Sequence, residues 1–145
     1  MLFNNGVLVA ITELQQKNPH LILCGSAALI MLGILENRHM SDIDFAVNDE
    51  AFIRIPTLPQ FPDPYSELNS ADGYKSHSGY YQRFKINTLV FEDHIPLYSE
   101  EFNGIKHQRL EDIINWKEKY NRPKDIKDLE KITIKAIEEA LYKES

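Results

Sequence analysis

Two aspartates separated by a single residue, Asp42 and Asp44, are the strongest candidates for chemistry in this sequence. They lead into the apolar run 45–47, which is typical of a buried strand. Side chains two apart on a strand point to one face, so both carboxylates should converge while Ile43 faces the core. Converging carboxylates repel each other unless a cation lies between them, and a divalent ion such as Mg²⁺ (or Mn²⁺) is the usual partner. The spacing therefore predicts a metal site at Asp42 and Asp44.

A glycine–serine pair, Gly25-Ser26, separates two apolar runs that precede these aspartates. The runs 21–24 and 27–35 predict a strand followed by a buried helix. The N-terminus of a helix carries unpaired N–H groups and a partial positive charge, and a glycine there lets a phosphate approach closely. The pair therefore predicts a phosphate site. Serine is also a common helix N-cap that needs no ligand, and this alternative stays open.

The rest of the chain predicts the elements that hold these motifs. Apolar periodicity predicts helices at residues 5–17, 109–120 and 124–142. The aromatic and β-branched stretch 80–92 predicts one long strand or two adjoining strands, with Arg83, Lys85 and Asn87 on one face. We expect irregular structure at 57–72 and 97–107, and a hairpin turn at Asp72-Gly73.

One lysine, Lys117, lies on the apolar stripe of the predicted helix 109–120. A buried ammonium group is costly unless it meets an anion, so Lys117 could reach the acidic site or a triphosphate. A lysine at the edge of the stripe would instead extend its head to water. Both interpretations remain open from the sequence.

Gly25-Ser26, a spacer of 15 residues after Ser26, and the string Asp-Ile-Asp resemble the signature of the polymerase-beta-type nucleotidyltransferase superfamily. With Ala28 and Arg38 included, the stretch is similar to the type IV abortive-infection toxin group and to small antibiotic nucleotidyltransferases. The resemblance implies an α/β (α+β) fold, with a small mixed sheet flanked by helices and C-terminal helices packed on it. It also implies acids that hold metal ions and activate a hydroxyl for attack on the α-phosphate of a nucleoside triphosphate.

A second motif lies near the C-terminus. The string from Leu110 to Leu129 is similar to the closing motif of that toxin group, a helix bearing one lysine followed by an Arg-x-Lys-Asp-x-x-Asp-Leu run. The resemblance implies active-site roles for Lys117 and Asp125, and a phosphate or loop-ordering role for Arg38. Asp125 could instead favour the dipole of a helix, and Arg38 could pair with an acid.

The chain departs from the superfamily at the third carboxylate. The resemblance implies an acid on the strand beside the first two, and the matching position here is Asn87. An asparagine can offer a metal its carbonyl oxygen but no charge, which would weaken two-metal chemistry. Glu92 or Asp93 could supply the acid if the register differs.

Length and composition set bounds on these interpretations. At 145 residues we expect a single domain over 1–145. A net charge of −6 argues against general binding of phosphate backbones. The N-terminus lacks the features of a signal peptide and no apolar run is long enough for a membrane span, which predicts a soluble, cytoplasmic protein without a membrane partner. Cys24 lies in an apolar strand and should be a buried, inert side chain.

Two functions from different classes follow. The first is a metal-dependent nucleotidyltransferase that uses a nucleoside triphosphate and an acceptor hydroxyl on RNA, protein or a small molecule, in a toxin–antitoxin or phage-defence system. The second is a catalytically inactive relative that binds a nucleotide or a protein partner, which Asn87 favours. A third hypothesis is that the motif is accidental in an unrelated small α/β domain.

Overall fold

The computed structural model describes residues 6–36, 42–48, 67–71, 74–91 and 98–144. The predictions for Arg38, for the turn residues Asp72-Gly73, for Glu92 and Asp93, and for residues 57–66 fall outside these ranges. Within the described ranges, no helix is long and apolar enough to cross a membrane.

Four helices and seven strands make up the described chain. In order they are α1 (Val7–Lys17), β1 (Ile22–Cys24), α2 (Gly25–Met31), β2 (Asp42–Ala46), β3 (Glu67–Ala71), β4 (Tyr74–Tyr81), β5 (Phe84–Phe91), β6 (Ser99–Phe102), β7 (Ile105–Gln108), α3 (Leu110–Tyr120) and α4 (Pro123–Glu144).

All seven strands form one sheet, in the order β3-β4-β5-β2-β1-β7-β6. The pairs β2–β5 and β1–β7 are parallel, and the other four neighbouring pairs are antiparallel. This mixed sheet with helices before, within and after it confirms the predicted α+β fold class.

The aromatic stretch at 80–92 forms parts of two strands rather than one. Tyr81 pairs with Phe84 across a two-residue turn, and Gln82 in that turn has a φ of +57°. The second of the two alternatives is therefore correct. Arg83 lies in the turn, so its placement on one strand face with Lys85 and Asn87 is wrong; the turn interrupts the alternation before β5 begins.

Three strands lie where irregular structure was expected. Strand β3 falls inside 57–72, and β6 and all of β7 except its last residue fall inside 97–107, so both expectations are wrong for these residues. β6 is exposed throughout and carries little apolar periodicity, so its pairing with β7 could not be inferred from its side chains. Ala71 pairs with Tyr74, so β3 and β4 are antiparallel neighbours on either side of the predicted turn.

The main core lies on one face of the sheet. Ile43, Phe45 and Ile86 point into it and are fully buried, and α1 covers them with the predicted apolar face. That face consists of Val7, Ala10, Ile11 and Leu14, each with no exposed surface. Helix α2 is also buried, but it spans Gly25–Met31 rather than the predicted 27–35.

Helix α4 packs on the domain through its N-terminal half. Ile132 is buried and Leu129 is half-buried. Beyond Ile132 the apolar side of this predicted helix is not buried, because Ala136 and Ala140 are exposed. The local apolar period continues to the end of the helix, but the rest of the described chain does not cover it. The single domain over 1–145 stays a prediction.

Candidate functional site

The two aspartates lie on β2 as their spacing predicts. Asp42 is exposed at the start of the strand, Asp44 is half-buried, and Ile43 between them has no exposed surface. Both carboxylates therefore share the sheet face opposite the main core. Lys85, the neighbour of Asp42 on β5, brings a positive charge to the same face.

The glycine–serine pair meets these aspartates because β1 is paired with β2. Cys24, the last residue of β1, lies beside Asp44, and Gly25 follows at once with a φ of +67°. A Cβ atom added to Gly25 would lie 2.8 Å from Oδ2 of Asp44. Side chains other than glycine are disfavoured at this φ, and the contact leaves no room for one. Glycine is thus required for the turn to approach the carboxylate.

Helix α2 starts at Gly25, with Cys24 rather than Ser26 at the N-cap position and no side-chain cap. The glycine–serine pair therefore lies at the start of the helix as predicted, two residues before the apolar run 27–35, while the alternative role of Ser26 as an N-cap is wrong. The helix has only seven residues, so its dipole is a weak source of positive potential. Phosphate binding at this turn stays a prediction that needs support from basic side chains.

Asn87 lies directly beside Asp44 on the neighbouring strand β5. Its side-chain Nδ2 donates a hydrogen bond to Oδ1 of Asp44, at 2.9 Å. Its Oδ1 accepts one from the Ser78 hydroxyl on β4, at 2.7 Å. The position that the resemblance assigns to a third acid is therefore beside the first two, as expected, and holds an amide in hydrogen-bond contact with Asp44.

Lys117 is buried, with 5% of its surface exposed. Its Nζ lies 2.9 Å from Oδ2 of Asp128 and 3.4 Å from Oδ1 of Asp125, both on α4. The structure therefore favours the buried alternative over a lysine that extends to water. The anions that it meets come from α4, a pairing that the apolar stripe could not reveal.

Asp125 has no exposed surface and joins α3 to the start of α4. Its carboxylate accepts hydrogen bonds from the backbone N of Arg122 at 3.1 Å and from the guanidinium Nε at 2.7 Å. Burial alone would raise the pKa of this carboxyl, but the bonds from Arg122 and the charge of Lys117 outweigh it and lower the pKa overall. These contacts support a positioning role for Asp125, because its carboxylate accepts hydrogen bonds from Lys117 on α3 and from Arg122 in the linker between the two helices.

A cavity brings the predicted motifs together at the ends of β1 and β2. Its lining residues are Cys24, Gly25, Ser26, Asp44, Leu89, Gln108, Ile113, Trp116, Lys117, Arg122, Lys124 and Asp128. The predicted site residues among them are Gly25, Ser26, Asp44 and Lys117. Two other predicted site residues, Asp42 and Asp125, do not line the cavity. The cavity volume of about 80 Å³ suits water, an ion or one phosphate group rather than a whole nucleotide.

Four polar lining residues were not among the predicted site residues: Gln108, Arg122, Lys124 and Asp128. Arg122, Lys124 and Asp128 belong to the C-terminal motif, which was a signal that could have found them. Gln108 ends β7 and carries no motif, so only the pairing of β7 with β1 brings it to the cavity.

The pKa of Asp44 is raised above its ordinary value. Burial is the main cause, and the negative charge of Asp42 adds to it, whereas the hydrogen bond from Asn87 and the charges of Lys124 and Lys85 oppose it. The site thus holds a carboxylate that lacks enough positive charge around it. A cation bound at Asp44 would supply that charge.

The donor set fits one divalent cation better than two. Among the described residues, no three His, Cys, Asp or Glu side chains gather closely enough to hold a metal ion. Mg²⁺ is commonly held by one or two carboxylates, with water and substrate phosphates completing its coordination. Asp42 and Asp44 meet this lower requirement, so these residues fit Mg²⁺ or Mn²⁺ that also binds a phosphate.

Comparison with known proteins yields one similar structure. No protein-family model matches the chain, and no curated protein sequence matches it. A crystal structure described as that of a "putative nucleotidyltransferase from H. pylori" matches with 18% sequence identity and a TM-score of 0.41. The match covers 76% of this chain and 54% of the other, so the chain spans about half the length of that structure. A similarity at this level does not define a family for the chain.

Proposed function

We propose that this chain is a metal-dependent nucleotidyltransferase that transfers a nucleoside monophosphate from a nucleoside triphosphate to an acceptor hydroxyl. One observation carries the proposal: the glycine–serine turn, Asp44 and three basic side chains line the same cavity. The basic side chains are Lys117, Arg122 and Lys124. Carboxylates that bind a cation and basic groups that bind phosphate are the two requirements of phosphoryl transfer.

In the proposed reaction the acceptor oxygen forms a bond to the α-phosphorus, and the bond from that phosphorus to the bridging oxygen breaks. Pyrophosphate leaves, and the proton of the acceptor hydroxyl is lost to water. The divalent cation, when bound, would neutralise phosphate charge and favour the deprotonated hydroxyl. Asp42 and Asp44 would hold the cation, and Lys124, which is exposed at the start of α4, would attract the phosphates.

Lys117 and Asp125 take supporting parts in this proposal. Lys117 faces the cavity but is held by Asp125 and Asp128, so it contributes a fixed positive charge rather than a mobile proton donor. Asp125 orients Arg122 and Lys117 through its hydrogen bonds. Gly25 and Ser26 provide backbone N–H groups for the phosphate end of the nucleotide, and the size of the cavity matches one phosphate group.

The acceptor class is inferred from the sequence alone. The resemblance to the toxin group favours a macromolecule, RNA or protein, and a role in a toxin–antitoxin or phage-defence system. The net charge of −6 favours an acceptor whose recognition does not depend on a long phosphate backbone. The third class of acceptor that the sequence leaves open is a small molecule with a hydroxyl group.

A test of the proposal incubates purified protein with Mg²⁺ and each α-labelled nucleoside triphosphate, with and without total RNA, and with a pool of small hydroxyl compounds. We expect label on one acceptor class, lost in Asp44→Asn and after chelation of the metal. Glu100→Gln, an exposed acid on the edge strand β6, is the matched control and should retain full transfer. Absence of labelled product under all these conditions would contradict an active enzyme.

A second function, nucleotide binding without transfer, is favoured by one specific observation. Asn87 occupies the position of a third acid and its amide N–H is directed at Asp44. Titration of a labelled nucleoside triphosphate with Mg²⁺ distinguishes this function from the first. Binding that is lost in Asp44→Asn, with no labelled product, would identify the inactive relative.

A further inference from the structure

Three side chains form a hydrogen-bonded row across adjacent strands of the sheet. Asp44 on β2 is the register partner of Asn87 on β5, and Asn87 is the partner of Ser78 on β4. Ser78 is 8% exposed, so the far end of the row is closed to solvent. The contact between Ser78 and Asn87 measures 2.7 Å, and that between Asn87 and Asp44 measures 2.9 Å.

The chemistry of the three groups sets the direction of these bonds. An ionised carboxylate can only accept, so Asn87 must present its NH₂ group to Asp44. The amide oxygen of Asn87 then faces Ser78, whose hydroxyl can donate to it. Asp44 therefore sets the orientation of the amide, because turning it would place its oxygen against a carboxylate oxygen, and the hydroxyl of Ser78, which can donate or accept, adapts to it.

This orientation removes Asn87 from the set of available metal ligands. A metal would have to bind the amide oxygen, but that oxygen accepts the hydroxyl of Ser78 and points towards β4. The NH₂ group of Asn87 carries partial positive charge and donates a hydrogen bond to Oδ1 of Asp44. A cation placed between Asn87 and Asp44 would therefore be repelled. The described site has no other acid close enough to make a group of three ligands.

We propose that the Ser78–Asn87 pair is a positioning device that replaces a third metal-binding carboxylate, so that this site binds a single divalent cation. The pair holds Asp44 through Oδ1 and leaves Oδ2, which faces the Gly25 turn, for that cation. The proposal rests on the proposed function for the identity of the cation, but its test does not depend on nucleotide transfer.

The test measures the number of Mn²⁺ ions bound per chain, by electron paramagnetic resonance and by calorimetric titration, without nucleotide. We expect one ion for the native chain and none within the same concentration range for Asp44→Asn. Asn87→Asp supplies the missing acid and should raise the number from one to two. Circular dichroism in the presence of a chelator checks that each variant is folded.

A second pair of variants tests the positioning role of Ser78. Ser78→Ala removes the group that steadies the amide of Asn87 and should weaken Mn²⁺ binding by about 10-fold, as loss of a supporting group around a metal site does. The number of ions should stay at one, because the NH₂ group of Asn87 still faces Asp44. Ser76→Ala is the matched control, since Ser76 is equally buried on the same face of β4, two residues away. It should bind Mn²⁺ as the native chain does.

The outcomes separate this inference from the proposed function. Two ions bound by the native chain would overturn it, because Asn87 would then serve as a ligand. No bound ion, or one ion unaffected by Asp44→Asn, would also overturn it. One ion bound at Asp44 with no transfer of label would leave this inference standing and overturn the proposed transferase activity.

Discussion

Gly25 and Asp44 are in such close contact that a Cβ atom on the glycine would lie 2.8 Å from a carboxylate oxygen of the aspartate. The two residues belong to motifs that are well separated in the sequence and meet because β1 and β2 are antiparallel neighbours. The contact joins the phosphate-binding and metal-binding halves of the proposed site, so a side chain added at Gly25 should affect both.

Gly25→Ala should destabilise the chain and weaken Mn²⁺ binding. The positive φ costs a non-glycine residue about 1–2 kcal/mol, and displacement of the Asp44 carboxylate should add about 1–3 kcal/mol. Gly33→Ala is the matched control, because Gly33 also has a positive φ, +77°, with nothing within 4 Å of an added Cβ. Urea unfolding and Mn²⁺ titration of both variants measure the difference. Equal losses of stability and of Mn²⁺ affinity in the two variants would show that the contact between Gly25 and Asp44 has no effect of its own.

Lys117→Met should lower the free energy of unfolding by about 3 kcal/mol, because it leaves the buried Asp125 and the half-buried Asp128 without their shared cation. Arg122 would still neutralise part of Asp125, so Asp128 should account for most of the loss. Lys127→Met changes an exposed lysine on α4 and should stay within about 0.5 kcal/mol of the native value. Chemical denaturation checks both. A loss below about 1 kcal/mol for Lys117→Met, typical of a surface ion pair, would contradict this account.

Asp44→Asn should make the fold more stable at pH 7. The pKa of Asp44 is raised in the folded state, so above its ordinary value of 3.8 the unfolded chain releases a proton that the folded chain still holds. Stability therefore falls as pH rises through the interval between 3.8 and the raised pKa. Asp44→Asn removes the titrating group, so the stability of the variant should not fall in this interval. The free energies of unfolding of both chains, measured from pH 4 to pH 8, test this, and equal slopes against pH would argue against a raised pKa of Asp44.

Asp125→Asn should have the opposite effect. The pKa of Asp125 is lowered in the folded state, so its stabilisation is complete above 3.8 and is lost as pH falls through the lowered pKa. At pH 7 the variant should lose about 1.5–3 kcal/mol, the value of hydrogen bonds to charged groups. Acid titration by circular dichroism should show a shallower dependence on pH. Glu130→Gln, an exposed acid on α4, should titrate like the native chain.

Local sequence patterns were sufficient for the geometry within β2 and for the presence of all four helices, although α2 begins and ends before its apolar run does. The buried face of α1 follows from four apolar residues at helical spacing. The shared face of Asp42 and Asp44 follows from strand alternation, with Ile43 buried on the other side. The apolar period of α4 continues beyond the buried Ile132 to the exposed Ala136 and Ala140, since periodicity shows which residues share a face but not how far a neighbour covers it.

Strand pairing was harder to predict from the sequence, because the hydrogen bonds of a sheet join backbone groups that are distant in sequence and carry no side-chain signal. The edge strand β6 has no buried residue. Strand β7 lies beside β1 through Leu23 and His107, and this pairing brings Gln108 to the cavity. Neither strand was predicted.

The amino-acid sequence thus determined which residues could do chemistry, since residue type and short-range spacing depend only on neighbours along the chain. The tertiary structure decided what each polar group contacts. It paired Lys117 with Asp128, turned the amide of Asn87 towards Asp44, and enclosed Asp125 among hydrogen-bond donors. The physical reason is that a buried charge or amide is stabilised by partners within about 3 Å, and folding alone brings partners from distant segments to that distance.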